Sequence, residues 1–434
     1  MISSLDGISK GSMRILFLLP DFPYPPSTGG RQKVFNELLY LSDRHQCDVL
    51  CFGKVDEAQI NSLESVLPRV GVLGVVSPRT GVRKWLGMLW HLVRLLPPSL
   101  AVFAERDYAL AVRDSLATGN YDVVHYDIIN MAQYLSLGSG KPSVHSPNDA
   151  TSLVYFRMAK HSVWSLAKVR LLLSAVLLQR FERKIYPLFT KVHVVSQPDA
   201  AYLKRLDPRI DVEVIPISVD GTFLNKLKTP HEGNVASEHR PTIICTGNLR
   251  NSAISQGVGD FLRDSYPLIL REIPNARLVV LGQIARPSLL RRYKESANIE
   301  FYPWVDDYRG FMVQADVVLV PESEGASGAK TRVVQAMGLG LPVVGSEKAF
   351  ESIPVVNGVH GMVYRSMTEC AAMILALLRN KIMCEEIGKK AHQLAIEEFS
   401  LSEVGPRYES LYLDAVSQHN SILQSDGTVS TYYP

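Results

Sequence analysis

The stretch ADVVLVPESEGASGAKTRVVQAMGLGLPVVG, residues 315–345, decides the fold class. It opens with an apolar, β-branched run that stops at Pro321, which predicts a strand buried on both faces. A loop of small residues follows, and Ser327 is a suitable N-cap for a helix from about Gly328 to Met337. A second apolar run, LPVVG, closes the stretch. Strand, loop, helix and strand in this order are typical of a parallel α/β sheet.

The same alternation extends in both directions along the chain. Seven strand-like runs precede a polar connection at 226–240, and five follow it, so we predict two tandem doubly wound domains. The predicted boundaries are 13–218 for the first domain, 219–395 for the second, 396–416 for a terminal helix packing back on the first domain, and 1–12 and 417–434 for flexible tails.

Composition places the chain among ordinary globular proteins. It has 434 residues, of which 46% are hydrophobic and 21% charged, and a formal net charge of +3. This balance excludes a disordered chain and does not favour bulk nucleic-acid binding. The five cysteines lack metal-ligand spacing, so we expect free thiols in a reducing compartment. The first residues lack the apolar core of a signal peptide, and a cytoplasmic location is expected.

Two segments in the first half are basic and apolar together. Residues 79–104 contain four Lys or Arg and no acidic residue, and residues 151–187 contain seven Lys or Arg and one Glu. Basic amphipathic helices can lie on an anionic membrane surface, to which the protein would then be peripherally bound. Core-packing helices with solvated charges are the alternative.

The loop and helix start near Lys330 combine features that suit a phosphate group. Glycines before a helix N-terminus leave backbone N–H groups free, and the positive end of the helix dipole favours an anion. The candidate phosphate-binding residues of this segment are Gly325, Ser327, Gly328, Ala329, Lys330 and Thr331. A tight turn with an exposed lysine is the alternative. The segment is not a P-loop, because Gly328 and Lys330 are not adjacent.

The chain resembles the GT-B-fold, retaining glycosyltransferases of family 4, the glycogen-synthase-like group. The motifs that carry the resemblance are MRILFLLPDFPYPPSTGGRQKV, VHVVSQPDAAYL, VEVIPISVDGTFL, VDDYRGFMVQADVVLVP and GAKTRVVQAMGLGLPVVGS. It implies two Rossmann-like domains that face each other across a cleft. It also implies that the second domain binds a nucleotide-sugar donor and that the first binds a glycan or lipid-linked acceptor.

Several positions depart from the family pattern. The family usually has two glutamates eight residues apart, and the second glutamate binds the ribose of the nucleotide. This chain has Ser327 at the first of these positions and Gln335 at the second. Gln335 keeps an acceptor oxygen but lacks the charge. Asn248 and Gln256 stand where the family has basic residues that grip the diphosphate. Three other cations could substitute for them: Arg250, Lys330 and Arg332.

The remaining candidate residues lie at or after the ends of predicted strands in the two domains. Gly29 and Gly30 lie in a glycine-rich loop before a helix, which the resemblance places over the diphosphate, and Gly247 follows the first strand of the second domain. His145 ends a predicted strand, and the resemblance implies that it contacts the donor sugar as a catalytic residue. His125 has a weaker claim by the same argument.

The leading functional hypothesis is retaining transfer from a nucleotide sugar in polysaccharide or glycolipid assembly. The sequence has no Asp-x-Asp motif, so we expect no metal and no cofactor besides the donor substrate. The alternatives are a catalytically weak homologue that acts as a binding or scaffold partner, which Gln335, Asn248 and Gln256 would suit, and a nucleotide-sugar epimerase of the same fold.

Overall fold

The computed structural model describes residues 11–225, 240–250, 252–283, 296–303, 305, 307–323 and 330–425. These residues form two compact units. The first comprises 11–156, 164–215 and 405–425, and the second comprises 157–163 and the described part of 216–404. None of the helices in these ranges combines the length and the apolar character needed to cross a membrane.

The first unit is built on a parallel sheet of seven strands. The strands are β1 Arg14–Leu19, β2 Gln46–Phe52, β3 Val70–Val76, β4 Val123–Asp127, β5 Ser143–Asn148, β6 Lys191–Val194 and β7 Val212–Val214. The helices are α1 Gly29–Leu41, α2 Glu57–Val66, α3 Gly81–Val93, α4 Arg106–Thr118, α5 Ile128–Met131, α6 Thr151–Lys160, α7 Leu166–Ile185 and α8 Gln197–Leu206.

Strand order in this sheet is β3-β2-β1-β4-β5-β6-β7. Successive strands are added on one side of β1 up to β3 and on the other side from β4 onwards, so the strand order reverses between β1 and β4. Ligands of doubly wound sheets bind outside the carboxyl ends of strands at such a point. Side chains on both faces of the central strands are buried, with Leu16 and Phe17 fully covered. This explains why the strands are read as continuous apolar runs.

The second unit is built on a parallel sheet of six strands. They are β8 Thr242–Thr246, β9 Arg277–Leu281, β10 Ile299–Tyr302, β11 Val317–Val320, β12 Val343–Ser346 and β13 Met362–Tyr364. Their order is β10-β9-β8-β11-β12-β13, so the reversal lies between β8 and β11. The helices are α9 Gly221–Leu224, α10 Ser252–Asp260, α11 Tyr266–Glu272, α12 Arg309–Met312, α13 Thr331–Gly338, α14 Met367–Arg379 and α15 Lys381–Phe399. The strand β13 was not predicted from the sequence, because it has only three residues.

The last helix, α16 Leu401–Ser425, passes from the second unit to the first. The polar sequence from Ser417, predicted as a flexible tail, continues this helix to Ser425. Tyr412 of α16 is fully buried, and its hydroxyl donates a hydrogen bond of 2.7 Å to Oε1 of Glu37. Nδ1 of His125 lies 2.6 Å from the same hydroxyl oxygen. This polar contact joins α16 to α1 and β4.

A buried group of charges surrounds that contact. Nζ of Lys33 lies 3.3 Å from Oε2 of Glu37 and 3.5 Å from Oδ1 of Asp127, and it also donates to the hydroxyl of Ser146. Burial would raise the pKa of both carboxyls, but the Lys33 ammonium and His125 hold both pKa values below their ordinary ranges. Their stabilising contribution is present above about pH 4 and is lost as the pH falls through the folded-state pKa values.

We expect Tyr412→Phe to destabilise the protein, because the variant removes a hydrogen bond to a buried carboxylate. Such a bond contributes about 1.5–3 kcal/mol to the free energy of unfolding. Urea denaturation at neutral pH measures the loss.

Tyr364→Phe is the matched control for this substitution. Tyr364 is also buried, and its hydroxyl has no hydrogen-bond partner among the residues that the structure describes. The free energy of unfolding of the control should stay close to that of the wild type. An equal loss of stability in both variants would contradict the role given to the Tyr412 hydroxyl.

Candidate functional site

The candidate site of the second unit lies at the reversal of strand order. The carboxyl ends of β8 and β11 are adjacent there, and they are followed by Gly247 and Pro321 respectively. Gly247 has φ +147°, a backbone conformation that favours glycine. A Cβ at this position would lie 3.5 Å from Nη1 of Arg332, so the guanidinium stands directly beside the end of β8.

Arg332 forms an ion pair with Glu322, the second residue after β11. Glu322 is buried, with 6% of its surface exposed. Burial lowers the pKa of the Arg332 guanidinium to about 10, which leaves it positively charged at neutral pH. The sequence predicted Arg332 as a substitute phosphate ligand. Glu322 was not predicted, because its only signal is a carboxylate two residues after a buried strand.

Lys330 occupies a different position from the predicted one. The helix α13 begins at Thr331, and Lys330 is its N-cap residue, with φ −98° and ψ 103°. The helix predicted from about Gly328 would have placed Lys330 in the first turn, and this part of the prediction is wrong. Lys330 is buried, and Thr331 is half-buried. A cation at this end of a helix is unfavourable for the helix dipole, and a bound anion would offset that cost.

Four predicted site residues, Gly325, Ser327, Gly328 and Ala329, lie outside the described residues. The start of the loop after β8, residues 247–250, belongs to the described part of the chain. Asn248 and Arg250 are exposed there, and Oδ1 of Asn248 accepts a hydrogen bond of 3.0 Å from the backbone N–H of Arg250. Gln256 is exposed on α10.

Gln335 lies on α13 and is 2% exposed. Its Oε1 accepts a hydrogen bond of 2.5 Å from the hydroxyl of Tyr308, just before α12. Burial raises the pKa of Tyr308, so this hydroxyl is protonated and acts as the donor. The acceptor oxygen expected to face a ribose is thus already bound by a tyrosine of the same unit. The sequence analysis did not single out Tyr308.

The helix α10 approaches the end of β11 at Gly257. A Cβ on Gly257 would lie 1.4 Å from the carbonyl oxygen of Pro321, so only glycine permits this contact. A cavity of about 480 Å³ opens beside it in the second unit, and Gly257, Glu322 and Tyr364 are among its lining residues. In the part of the chain that is described, no group of three or more His, Cys, Asp or Glu side chains is arranged to hold a metal ion.

In the first unit, Gly29 and Gly30 are the first two residues of α1, and both are exposed. The sequence predicted that His145 ends a strand at the open edge of the sheet, but the structure places it inside the strand. The strand β5 continues past it to Asn148, and its ring is fully buried, with Nδ1 2.9 Å from the carbonyl oxygen of Tyr126. Its ring stacks on Phe189 with 4.6 Å between ring centroids.

Burial lowers the pKa of His145 to about 3, so the ring is neutral at physiological pH. In this structure a donor sugar therefore has no access to it, and the expectation that His145 faces a ligand is wrong. The ring of His125 is likewise fully buried, within the group of charges around Lys33.

Two family models match the chain over most of its length. The model described as Glycosyltransferase Family 4 matches residues 29–222, and the model described as Glycosyl transferases group 1 matches residues 240–380. This chain is a group 1 glycosyltransferase of the family 4 type. No curated protein matches its sequence.

Solved structures resemble this glycosyltransferase over both units. HepE from Anabaena, crystallised with UDP and glucose, has a TM-score of 0.61 and 16% identity, with 92% of this chain and 98% of HepE covered. Sucrose-phosphate synthase from Thermosynechococcus elongatus has a TM-score of 0.66 and 15% identity, with coverages of 93% and 99%. WaaG, a glycosyltransferase involved in lipopolysaccharide biosynthesis, has a TM-score of 0.63 and 14% identity, with coverages of 92% and 99%. The glycosyltransferase has the predicted GT-B fold of two Rossmann-like domains.

We expect Gly257→Ala to destabilise this glycosyltransferase, because the added Cβ must push α10 away from the backbone after β11. Overpacking of this kind costs about 1–3 kcal/mol of unfolding free energy. Chemical denaturation measures it.

Gly310→Ala serves as the control, since a Cβ on Gly310 meets no atom within 4 Å. A Gly257→Ala variant as stable as the Gly310→Ala variant would show that α10 does not need this close approach.

Proposed function

We propose that this glycosyltransferase moves a sugar from a nucleotide-sugar donor to a glycan or lipid-linked acceptor in polysaccharide or glycolipid biosynthesis. In this proposal the donor diphosphate binds the second unit between the ends of β8 and β11. The reaction retains the anomeric configuration and needs no metal, as the resemblance implies. The protein works in the cytoplasm and is peripherally bound to an anionic membrane face.

The observation that carries the proposal is the pair of cationic side chains around the start of α13. Arg332 lies beside the end of β8, where it pairs with Glu322, and Lys330 is the residue directly before the helix. Lys330 thus stands at the positive end of a helix dipole, which favours a bound anion. A diphosphate would accept hydrogen bonds from both side chains.

The structural neighbours support a nucleotide-sugar donor. HepE binds UDP and glucose in its crystal structure, and its fold matches this chain along nearly its whole length. The ion pair at Arg332 makes the proposed donor site testable. Arg332 is already paired with Glu322, so a donor must compete with that carboxylate for the guanidinium.

We therefore expect opposite effects from substitutions at the two partners. Arg332→Met removes a charged hydrogen-bond donor and should weaken binding of UDP about tenfold or more. Glu322→Gln removes the competing carboxylate and should keep or strengthen binding. Isothermal titration calorimetry with UDP, and with a panel of nucleotide sugars, measures both.

The control for these substitutions is Arg379→Met, which removes an arginine paired with Glu272 on the surface of the same unit. Its affinity should equal that of the wild type. A wild type that binds no nucleotide or nucleotide sugar at millimolar concentration would sink the proposal and favour the scaffold alternative.

Gln335→Glu separates an active enzyme from a degenerate one. Because Tyr308 already donates to Oε1, a glutamine suffices at this position, and we expect the substitution to change donor affinity and turnover by less than about tenfold. Calorimetry and a nucleotide-release assay give the two values. A much larger gain would indicate that the glutamine marks lost activity.

A further inference from the structure

The helix α3 turns its apolar face towards solvent. Six large apolar side chains on it are between 59% and 73% exposed. They are Val82, Trp85, Leu86, Leu89, Trp90 and Val93. Their spacing is i, i+3, i+4, i+7, i+8 and i+11, so they share one face of the helix. An amphipathic helix in a globular protein normally turns that face inward, and a patch of this kind marks an interaction surface.

The opposite face of α3 attaches it to the first unit. Gly87 is buried, and a Cβ there would lie 3.4 Å from Cβ of Ala101 and 3.0 Å from Nη1 of Arg79. Ala101 belongs to a short 3₁₀ helix, Pro98–Phe103, whose Leu100 packs in the hydrophobic core. The helix therefore packs on the first unit through the face that contains Gly87, and its large apolar side chains remain exposed.

The basic residues beside this apolar face indicate which kind of partner covers it. Residues 79–104 contain no acidic residue, and Arg83, Lys84 and Arg94 lie on α3 or directly after it. Arg83 and Arg94 are exposed, and the Arg94 guanidinium lies 5.8 Å from the centre of the Trp90 ring. In a twofold dimer the same patch would meet itself and bring these cations together. An anionic lipid surface offers the opposite charge.

We propose that α3 is a monotopic membrane anchor that lies in the plane of an anionic bilayer. Its apolar face inserts at the boundary between headgroups and acyl chains, and Arg83 and Arg94 contact lipid phosphates. Tryptophan and leucine on one face with basic residues beside them are the composition of such interfacial helices. The inference rests on the peripheral membrane position proposed above and not on the transfer reaction.

Flotation of the full-length protein with vesicles tests the anchor. Vesicles of phosphatidylcholine with phosphatidylglycerol should carry the wild type, and high salt should weaken binding. Substituting both tryptophans, Trp85→Ser with Trp90→Ser, should lower partitioning by about tenfold or more. Arg83→Gln with Arg94→Gln should lower it roughly 30-fold on these vesicles and leave binding to phosphatidylcholine alone unchanged.

Ile382→Ser is the matched control, because Ile382 is 70% exposed on α15 of the other unit. Its partitioning should equal that of the wild type. Quenching of tryptophan fluorescence by brominated acyl chains should also fall in the Trp85→Ser and Trp90→Ser variant, which reports insertion rather than adsorption.

Two results would overturn the inference. One is wild-type protein that does not float, or floats equally well without both tryptophans. The other is a wild-type dimer in sedimentation velocity that the tryptophan substitutions dissociate, which would assign the face to a second copy. Calorimetry with UDP on the same variants keeps the two proposals apart, since failed flotation with intact nucleotide binding removes the anchor and the peripheral membrane position and leaves the transfer reaction standing. Intact flotation without nucleotide binding removes only the transfer reaction.

Discussion

The ion pair between Arg332 and Glu322 is the contact on which the candidate donor site depends. It holds a guanidinium beside the end of β8, within 3.5 Å of the Cβ position of Gly247, at the reversal of strand order. A guanidinium at this depth must be paired, because an isolated buried charge loses too much hydration free energy. Glu322 supplies that partner in the protein without ligand, and a diphosphate would supply a stronger one.

The two units use buried cations differently. In the first unit, Lys33 lies between Glu37 and Asp127, both buried and ionised. This arrangement joins α1 to β4 and, through Tyr412, to the last helix. In the second unit, Arg332 lies beside the end of β8, and Lys330 directly precedes the N-terminus of α13. The dipole at that end of a helix favours an anion, and for this reason we assign the anionic part of the donor to the second unit.

The sequence predicted the sheets well because buried parallel strands leave a direct signal. Continuous apolar runs such as ILFLL and VVLV predict a buried strand without any knowledge of the neighbouring strands. Side-chain surroundings were harder to predict, because they depend on residues distant along the chain. His145 proved to lie inside a strand against Phe189, and Gln335 proved to be bound by Tyr308. The start of α13 at Thr331 also escaped prediction, since several small residues could have capped it. The outward face of α3 was left open by the sequence, because its periodicity is the same whichever way the helix turns.

A crystal structure of the protein with bound UDP would show directly which group pairs with Arg332. We expect the Arg332 guanidinium to leave Glu322 and to donate hydrogen bonds to the diphosphate, with Lys330 at hydrogen-bond distance from a phosphate oxygen. An intact pair between Arg332 and Glu322, with the diphosphate bound elsewhere on the protein, would contradict this expectation.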